Sequence, residues 1–174
     1  MKNRKIIIKY FSIILLVLCF SLNSCGYRFS RGRLPEGVKS ICIQVFANNT
    51  GESGIEVLFT NDVIYEFMNS GNVKITGGED ADAILSGTVK SMRIQGITHD
   101  PEQSSLERRV TINLDLKFEN KTITRVQFLK DVSESQAYKV ESDKSDTENN
   151  RRDAIEKISK RLAATIYNRL TSDF

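Results

Sequence analysis

Apolar and polar positions recur along this chain with two periods, and the switches between them mark out its elements. Val38 to Phe46 alternates, with Ile41, Ile43 and Val45 on one side, and predicts a strand that Asn48-Asn49-Thr50-Gly51 ends. From Ile55 the spacing lengthens to three and four: Ile55, Leu58, Phe59, Val63 and Phe67 form one stripe of an amphipathic helix. Ser53 and Glu56 have capping-box spacing at its start, and Gly71 is a natural stop. Val73 to Thr76 reads as a short strand and Gly77-Gly78-Glu79-Asp80 as a turn. Ala83 to Ile94 reads as a longer strand, and its phase change from Leu85, Gly87 and Val89 to Met92 and Ile94 predicts a bulge. Gln95 to Ser105 is a loop. The plainest strand has Val110, Ile112, Leu114, Leu116 and Phe118 on one face and Arg109, Thr111, Asn113, Asp115 and Lys117 on the other. Glu119-Asn120-Lys121 turns the chain into a weaker strand within 122–140, where Val126 and Phe128 share a face and Ala137, Tyr138 and Val140 mix phases. A second box, Ser145 with Glu148, precedes a long stripe of Ile155, Ile158, Leu162, Ile166 and Leu170, opposite the i,i+4 pairs Asp153–Lys157 and Glu156–Lys160. Strand, helix, several antiparallel strands and a final helix predict an α+β two-layer sandwich: a mostly antiparallel sheet with two amphipathic helices on one face.

The start of the chain follows a different pattern. Lys2, Arg4, Lys5 and Lys9 precede an apolar run, Tyr10 to Leu22, and no acid occurs before Glu36. This is the charge and hydropathy profile of a secretory signal, and the run falls short of the ~20 apolar residues that a spanning helix needs. Leu22-Asn23-Ser24-Cys25 resembles the lipobox read by bacterial lipoprotein signal peptidase, with Asn23 larger than the usual small residue. Residues 1–24 are expected to be a signal peptide and Cys25 the lipidated first residue, carrying diacylglyceryl and an amide-linked acyl chain such as palmitate. Residues 25–33 are then a tether and residues 34–174 a single α+β domain. An uncleaved anchor helix and an ordinary signal peptide are the competing readings.

Removing the signal changes the charge. The four basic residues lost from 25 leave 21 against 22 acidic, which turns a net charge of +3 into one near −1. Nucleic acid is therefore not expected as a partner, because phosphate binding needs a marked basic excess or face. Cys42 would be the only cysteine left free, and its apolar surroundings predict a small buried hydrophobe rather than a reactive thiol. His99, the single histidine, sits in a polar loop without a nucleophile or ligand set around it. Glu79, Asp80 and Asp82 lack calcium-loop spacing, and Gly77-Gly78 lacks the rest of a phosphate loop. No enzyme activity, metal or cofactor is expected. Arg108 and Arg109 are the candidates for ligand binding, with Arg109 on the polar side of its strand and so available to a positive sheet face.

Several blocks, taken in order, resemble the LptE family of lipopolysaccharide-assembly lipoproteins. They are Cys25-Gly26-Tyr27-Arg28-Phe29, Leu34-Pro35-Glu36-Gly37-Val38-Lys39-Ser40-Ile41, Val45-Phe46 with Asn49-Thr50, Gly54-Ile55-Glu56, and Leu58 through Thr60-Asn61 to Glu66-Phe67. Ala81-Asp82-Ala83-Ile84-Leu85-Ser86-Gly87-Thr88-Val89, Arg109-Val110-Thr111 and the close of the last helix at Leu170 to Phe174 continue the likeness. Gln44 stands where the family often has proline, and Thr122 to Lys130 matches poorly. The resemblance implies a non-catalytic outer-membrane lipoprotein that sits in an LptD-like β-barrel, assists its assembly and takes part in delivering lipopolysaccharide to the outer leaflet. The alternative is a free-standing, lipid-anchored periplasmic binding module for a peptide or glycan.

Overall fold

The structure, a computed structural model, describes residues 34–35, 37–70, 73–97 and 106–172. The signal segment, Cys25 and its tether, the Gly71 stop and the His99 loop lie outside these residues. In chain order the elements are β1 (Ser40–Ile43), β2 (Ala47–Asn48), α1 (Ile55–Asn69), β3 (Lys74–Ile75), β4 (Ala83–Ile97), β5 (Glu107–Asn120), β6 (Arg125–Lys139) and α2 (Lys144–Ser172). They form a six-stranded mixed sheet of order β3-β1-β4-β5-β6, with β2 also pairing with β4. The long strands β4, β5 and β6 are antiparallel, whereas β1 runs parallel to both β3 and β4. Both helices pack on one face, α1 over the short strands and α2 along β6, in the predicted two-layer α+β sandwich. The parallel edge was not legible in the periodicity, because β2 and β3 have only two residues each.

The core is the meeting of three apolar sets. Ala83, Leu85 and Val89 of β4, and Val110 through Phe118 at every second residue of β5, lie under Ile55, Phe59, Val63 and Phe67 of α1 and Ile158, Leu162, Ile166 and Leu170 of α2. The helices run parallel: Ile55 and Ile155 flank one cleft, and Phe67 meets Tyr167 edge-to-face at 5.2 Å.

The first predicted strand is broken. Only Ile41 of its expected apolar side is fully buried, Ile43 is half-buried and Val45 is 68% exposed, because the chain leaves the strand geometry at Gln44. The break lets Phe46 turn inward, where its N–H donates to Thr60 Oγ1 at 3.0 Å and its ring packs over Gly87. A Cβ on Gly87 would stand 2.8 Å from two ring carbons of Phe46, so this mid-strand glycine makes room for the aromatic ring. The segment 122–140, predicted as weak and mixed in phase, is one strand of 15 residues interrupted by a bulge.

Neither capping box forms as predicted. At α1 the N-cap is Gly54, in the left-handed region at φ 82°, and Glu56 instead accepts a hydrogen bond from Asn48 Nδ2 at 2.8 Å. Helix α2 starts before its box, at Lys144, where Asp143 Oδ1 accepts the Ser145 N–H at 2.6 Å. Glu148 is drawn to Arg151, whose guanidinium also forks onto Glu52 at 2.9 and 3.0 Å and ties the approach to α1 onto α2. Among the described residues Asp153–Lys157 and Glu156–Lys160 do not close as ion pairs, while Glu148–Arg152 does at 3.4 Å.

Asp82 joins the parallel strands. Its Oδ2 accepts the N–H groups of Lys39 and Ser40 at 2.9 and 2.8 Å and the Ser40 hydroxyl at 2.8 Å, while Ser40 Oγ accepts the Asp82 N–H at 3.0 Å. The backbone donor of Lys39 first, then Ser40, holds this carboxyl below its ordinary value, and Arg151 does the same for Glu148.

Gly87→Ala should destabilise the domain by about 1–3 kcal/mol through overpacking, and should cost much less in a Phe46→Ala background, as read by urea unfolding in a double-mutant cycle. Carboxyls with lowered folded pKa stabilise fully above their unfolded value and lose that contribution as pH falls through the folded one. The urea midpoint should therefore drop below about pH 4, and Asp82→Asn should lower it at neutral pH while flattening the acid limb. Parallel curves for variant and parent would show that Asp82 does not carry the effect.

Candidate docking face

The face of the sheet away from the helices is uncovered among the described residues. Alternation along the strands dictates its composition. Strand β4 contributes Ser86, Thr88, Ser91, Arg93 and Gln95, β5 contributes Arg109, Thr111, Asn113, Asp115, Lys117 and Glu119, and β6 contributes Val126, Phe128, Lys130, Ser133 and Ser135. Hydroxyl and amide side chains occupy its middle rows, and Asn113 Nδ2 donates to Ser91 Oγ at 2.8 Å across β4 and β5.

Two bulges meet at the centre of this face. Lys90 is the extra residue of β4, between Val89 opposite Leu114 and Ser91 opposite Asn113. On the other side of β5, Lys130 and Asp131 together oppose Asp115, and Asp131 has φ 53°. Asp115 repairs the ladder: its Oδ1 accepts the Asp131 N–H at 2.8 Å, and its Oδ2 lies 3.3 Å from Lys90 Nζ. Lys90 also donates to Asp131 Oδ1 at 2.8 Å. The Asp131 N–H holds the Asp115 carboxyl below its ordinary range, and Asp131 followed by Asp115 holds the Lys90 ammonium above its own. Exposed ion pairs contribute little stability in water, so the cluster acts mainly by fixing where the strands bulge.

Beside this cluster is an open groove of about 450 Å³ lined by Gln44, Val45, Ser86, Thr88, Asp115, Lys117, Phe128 and Lys130. The break in β1 builds one wall by turning Val45 outward, and Phe128, 61% exposed, builds the other. Lys117 pairs with Glu119 at 2.9 Å along the same strand.

The residues singled out from sequence fall elsewhere. Arg108 and Arg109 are both exposed at the start of β5, but on opposite faces: Arg109 stands on the open face opposite Gln95 and Ala137, and Arg108 on the helix side opposite Tyr138. Six residues of extended strand, about 20 Å, separate Arg109 from Asp115. Cys42 is only half-buried, near Gly78, rather than a core residue. Sequence reasoning located the β4 bulge but missed Lys90, Asp115 and Asp131 as a unit. The signal was present in the two phase slips, each marked by a charged residue, but only the strand register aligns them. Among the described residues no group of three metal-ligating side chains occurs.

Solved bacterial proteins share this fold. Rare lipoprotein B from Shewanella oneidensis has a similar fold, with a TM-score of 0.54, 12% identity and coverage of 77% of this chain and 95% of its own. The hypothetical protein CT253 from Chlamydia trachomatis aligns with a TM-score of 0.52 at 5% identity, covering 78% of this chain and 99% of its own. At such identities the likeness is one of fold alone. No curated protein matches the chain in sequence. The family model described as "LptE: Lipopolysaccharide-assembly" matches residues 38–170, from the approach to β1 through the last turns of α2. That span covers every strand, α1 and all but the last two residues of α2, and the chain accordingly belongs to the LptE lipopolysaccharide-assembly family.

Proposed function

We propose that the protein is a non-catalytic lipoprotein of the Gram-negative outer membrane, anchored through lipid on Cys25 after removal of residues 1–24. Residues 25–33 tether the single domain of residues 34–174, which docks in an LptD-like β-barrel, assists its assembly and serves lipopolysaccharide delivery to the outer leaflet. The observation that carries this reading is the family match over residues 38–170. The uncovered sheet face supports it, because a barrel lumen is polar and a broad face of serine, threonine, asparagine and paired charges suits such a lining. Arg109, on that face, is the better placed of the two arginines for an anionic sugar or phosphate, and Arg108 points to the other side.

A free-standing periplasmic binding module is the second reading, and the groove at Val45 and Phe128 is the observation in its favour. Recovery of a large barrel with the intact lipoprotein separates the two.

Depletion should leave the barrel misassembled, reduce surface lipopolysaccharide and admit large antibiotics, while single charge changes at Arg108 or Arg109 should leave barrel assembly intact. Cys25→Ala should abolish lipid attachment, as read by mass spectrometry of the mature protein. Normal barrel and lipopolysaccharide levels in depleted cells would favour the binding module.

A further inference from the structure

We infer that the first half of β6, Val126 to Lys130, is a strand-addition site for an extended acidic segment of a protein partner. Peptide groups in a strand point alternately to its two neighbours. The Val140 N–H donates to Leu106 O at 2.8 Å, next in register after Arg108 opposite Tyr138, so even-numbered residues bond to β5 in this half of β6. Odd-numbered residues therefore turn their peptide groups to the free edge, and three of those carbonyls are already occupied. Ser135 O accepts from Arg161 at 2.9 Å, Ala137 O from Gln136 Nε2 at 2.9 Å, and Lys139 O from Asn150 Nδ2 at 3.2 Å. Side chains thus block this half of the edge against another strand.

The bulge at Lys130 and Asp131 reverses the parity. Below it the register is Leu116 opposite Leu129, Phe118 opposite Gln127 and Asn120 opposite Arg125. Since the even residues of β5 bond to β6 throughout, Val126, Phe128 and Lys130 now present their N–H and C=O groups outward. Among the described residues no hydrogen bond takes them up on that side. Val126 and Phe128 are 45% and 61% exposed, and Phe128 forms a wall of the groove across the open face. At the opposite edge β3 has two residues, too few to template a partner. The half of β4 beyond Val89 has no neighbour on its β2 side among the described residues, but Ile94 is its only exposed large apolar side chain.

An uncovered edge with apolar side chains is an aggregation hazard unless a partner covers it. The charge of this end indicates the partner's chemistry. From Lys117 to Lys130 the hairpin carries Lys117, Lys121, Arg125 and Lys130 against Glu119 alone, in a domain whose other residues are acidic in balance. An incoming strand would gain main-chain hydrogen bonds from the edge, apolar contact from Phe128 and selection for acid from the lysines.

The inference rests on the barrel reading, and its occupant is an extended segment of that barrel. In the complex purified from membranes with the intact lipoprotein, the amides of Val126, Phe128 and Lys130 should exchange with deuterium at least about tenfold more slowly than in the isolated lipoprotein. Phe128→Pro removes the central outward donor at an edge position, where proline is tolerated, and should weaken the complex while leaving the unfolding midpoint near that of the parent. Lys117→Glu with Lys130→Glu keeps the backbone and should weaken the complex most at low salt. A complex that forms with unchanged exchange at the three amides overturns the inference and leaves the barrel reading standing. Slow exchange in a dimer of the isolated protein names a second copy as occupant and overturns it too. Absence of any barrel removes the occupant and the reading beneath it together.

Discussion

Three long strands can bury a common face only if their side chains keep one phase, and here that requires two extra residues to be absorbed at the same level of the sheet. Strand β5 alternates without interruption from Val110 to Phe118, so its neighbours must fit it. Without the bulge at Lys90, Met92 would leave the core side, and without the one at Lys130 and Asp131 so would Val132 and Tyr138. Asp115 makes the adjustment possible, because its carboxylate accepts the N–H that the bulged ladder cannot and draws in Lys90 from the other side.

The rest of the molecule follows from that alignment. With every large apolar residue of β5 on one face, two helices suffice to cover it, and the other face is left to short polar side chains. The parallel edge is assembled by local clamps: Asp82 on the start of β1, Phe46 over Gly87, and Arg151 between Glu52 and Glu148. The bulge on β6 also divides its outer edge into a half closed by Arg161, Gln136 and Asn150 and a half left open. These two adjustments of register therefore set the core, the free face and the free edge.

Much of this was legible in the sequence. The stripe from Ile55 to Phe67, the alternation from Val110 to Phe118 and the phase slip after Val89 each report a local period, which the structure preserves. Lost were the features that depend on residues distant in sequence. Val45 looked like a core residue because nothing local reveals that Phe46 finds a seat over Gly87. The boxes at Ser53 and Ser145 failed for a nearer reason: Asn48 competes for Glu56 and Arg151 for Glu148. In sequence the β6 slip shows only as a mixed phase, since its partner Asp115 lies on another strand. Arg108 and Arg109 are neighbours in a strand, so alternation places them on opposite faces and leaves only Arg109 on the open one.

The helix-free face should be the one used in the envelope. Single cysteines at Thr88 and Ser133 on that face, and at Lys157 and Lys160 on the exposed side of α2, can be introduced into a Cys42→Ser background and labelled with a maleimide in intact envelopes and in the isolated lipoprotein. Protection of Thr88 and Ser133 in the envelope, lost on isolation, with Lys157 and Lys160 labelled equally in both, is the predicted result. Equal labelling of Thr88 and Ser133 in both states, with protection confined to the α2 positions, would contradict it.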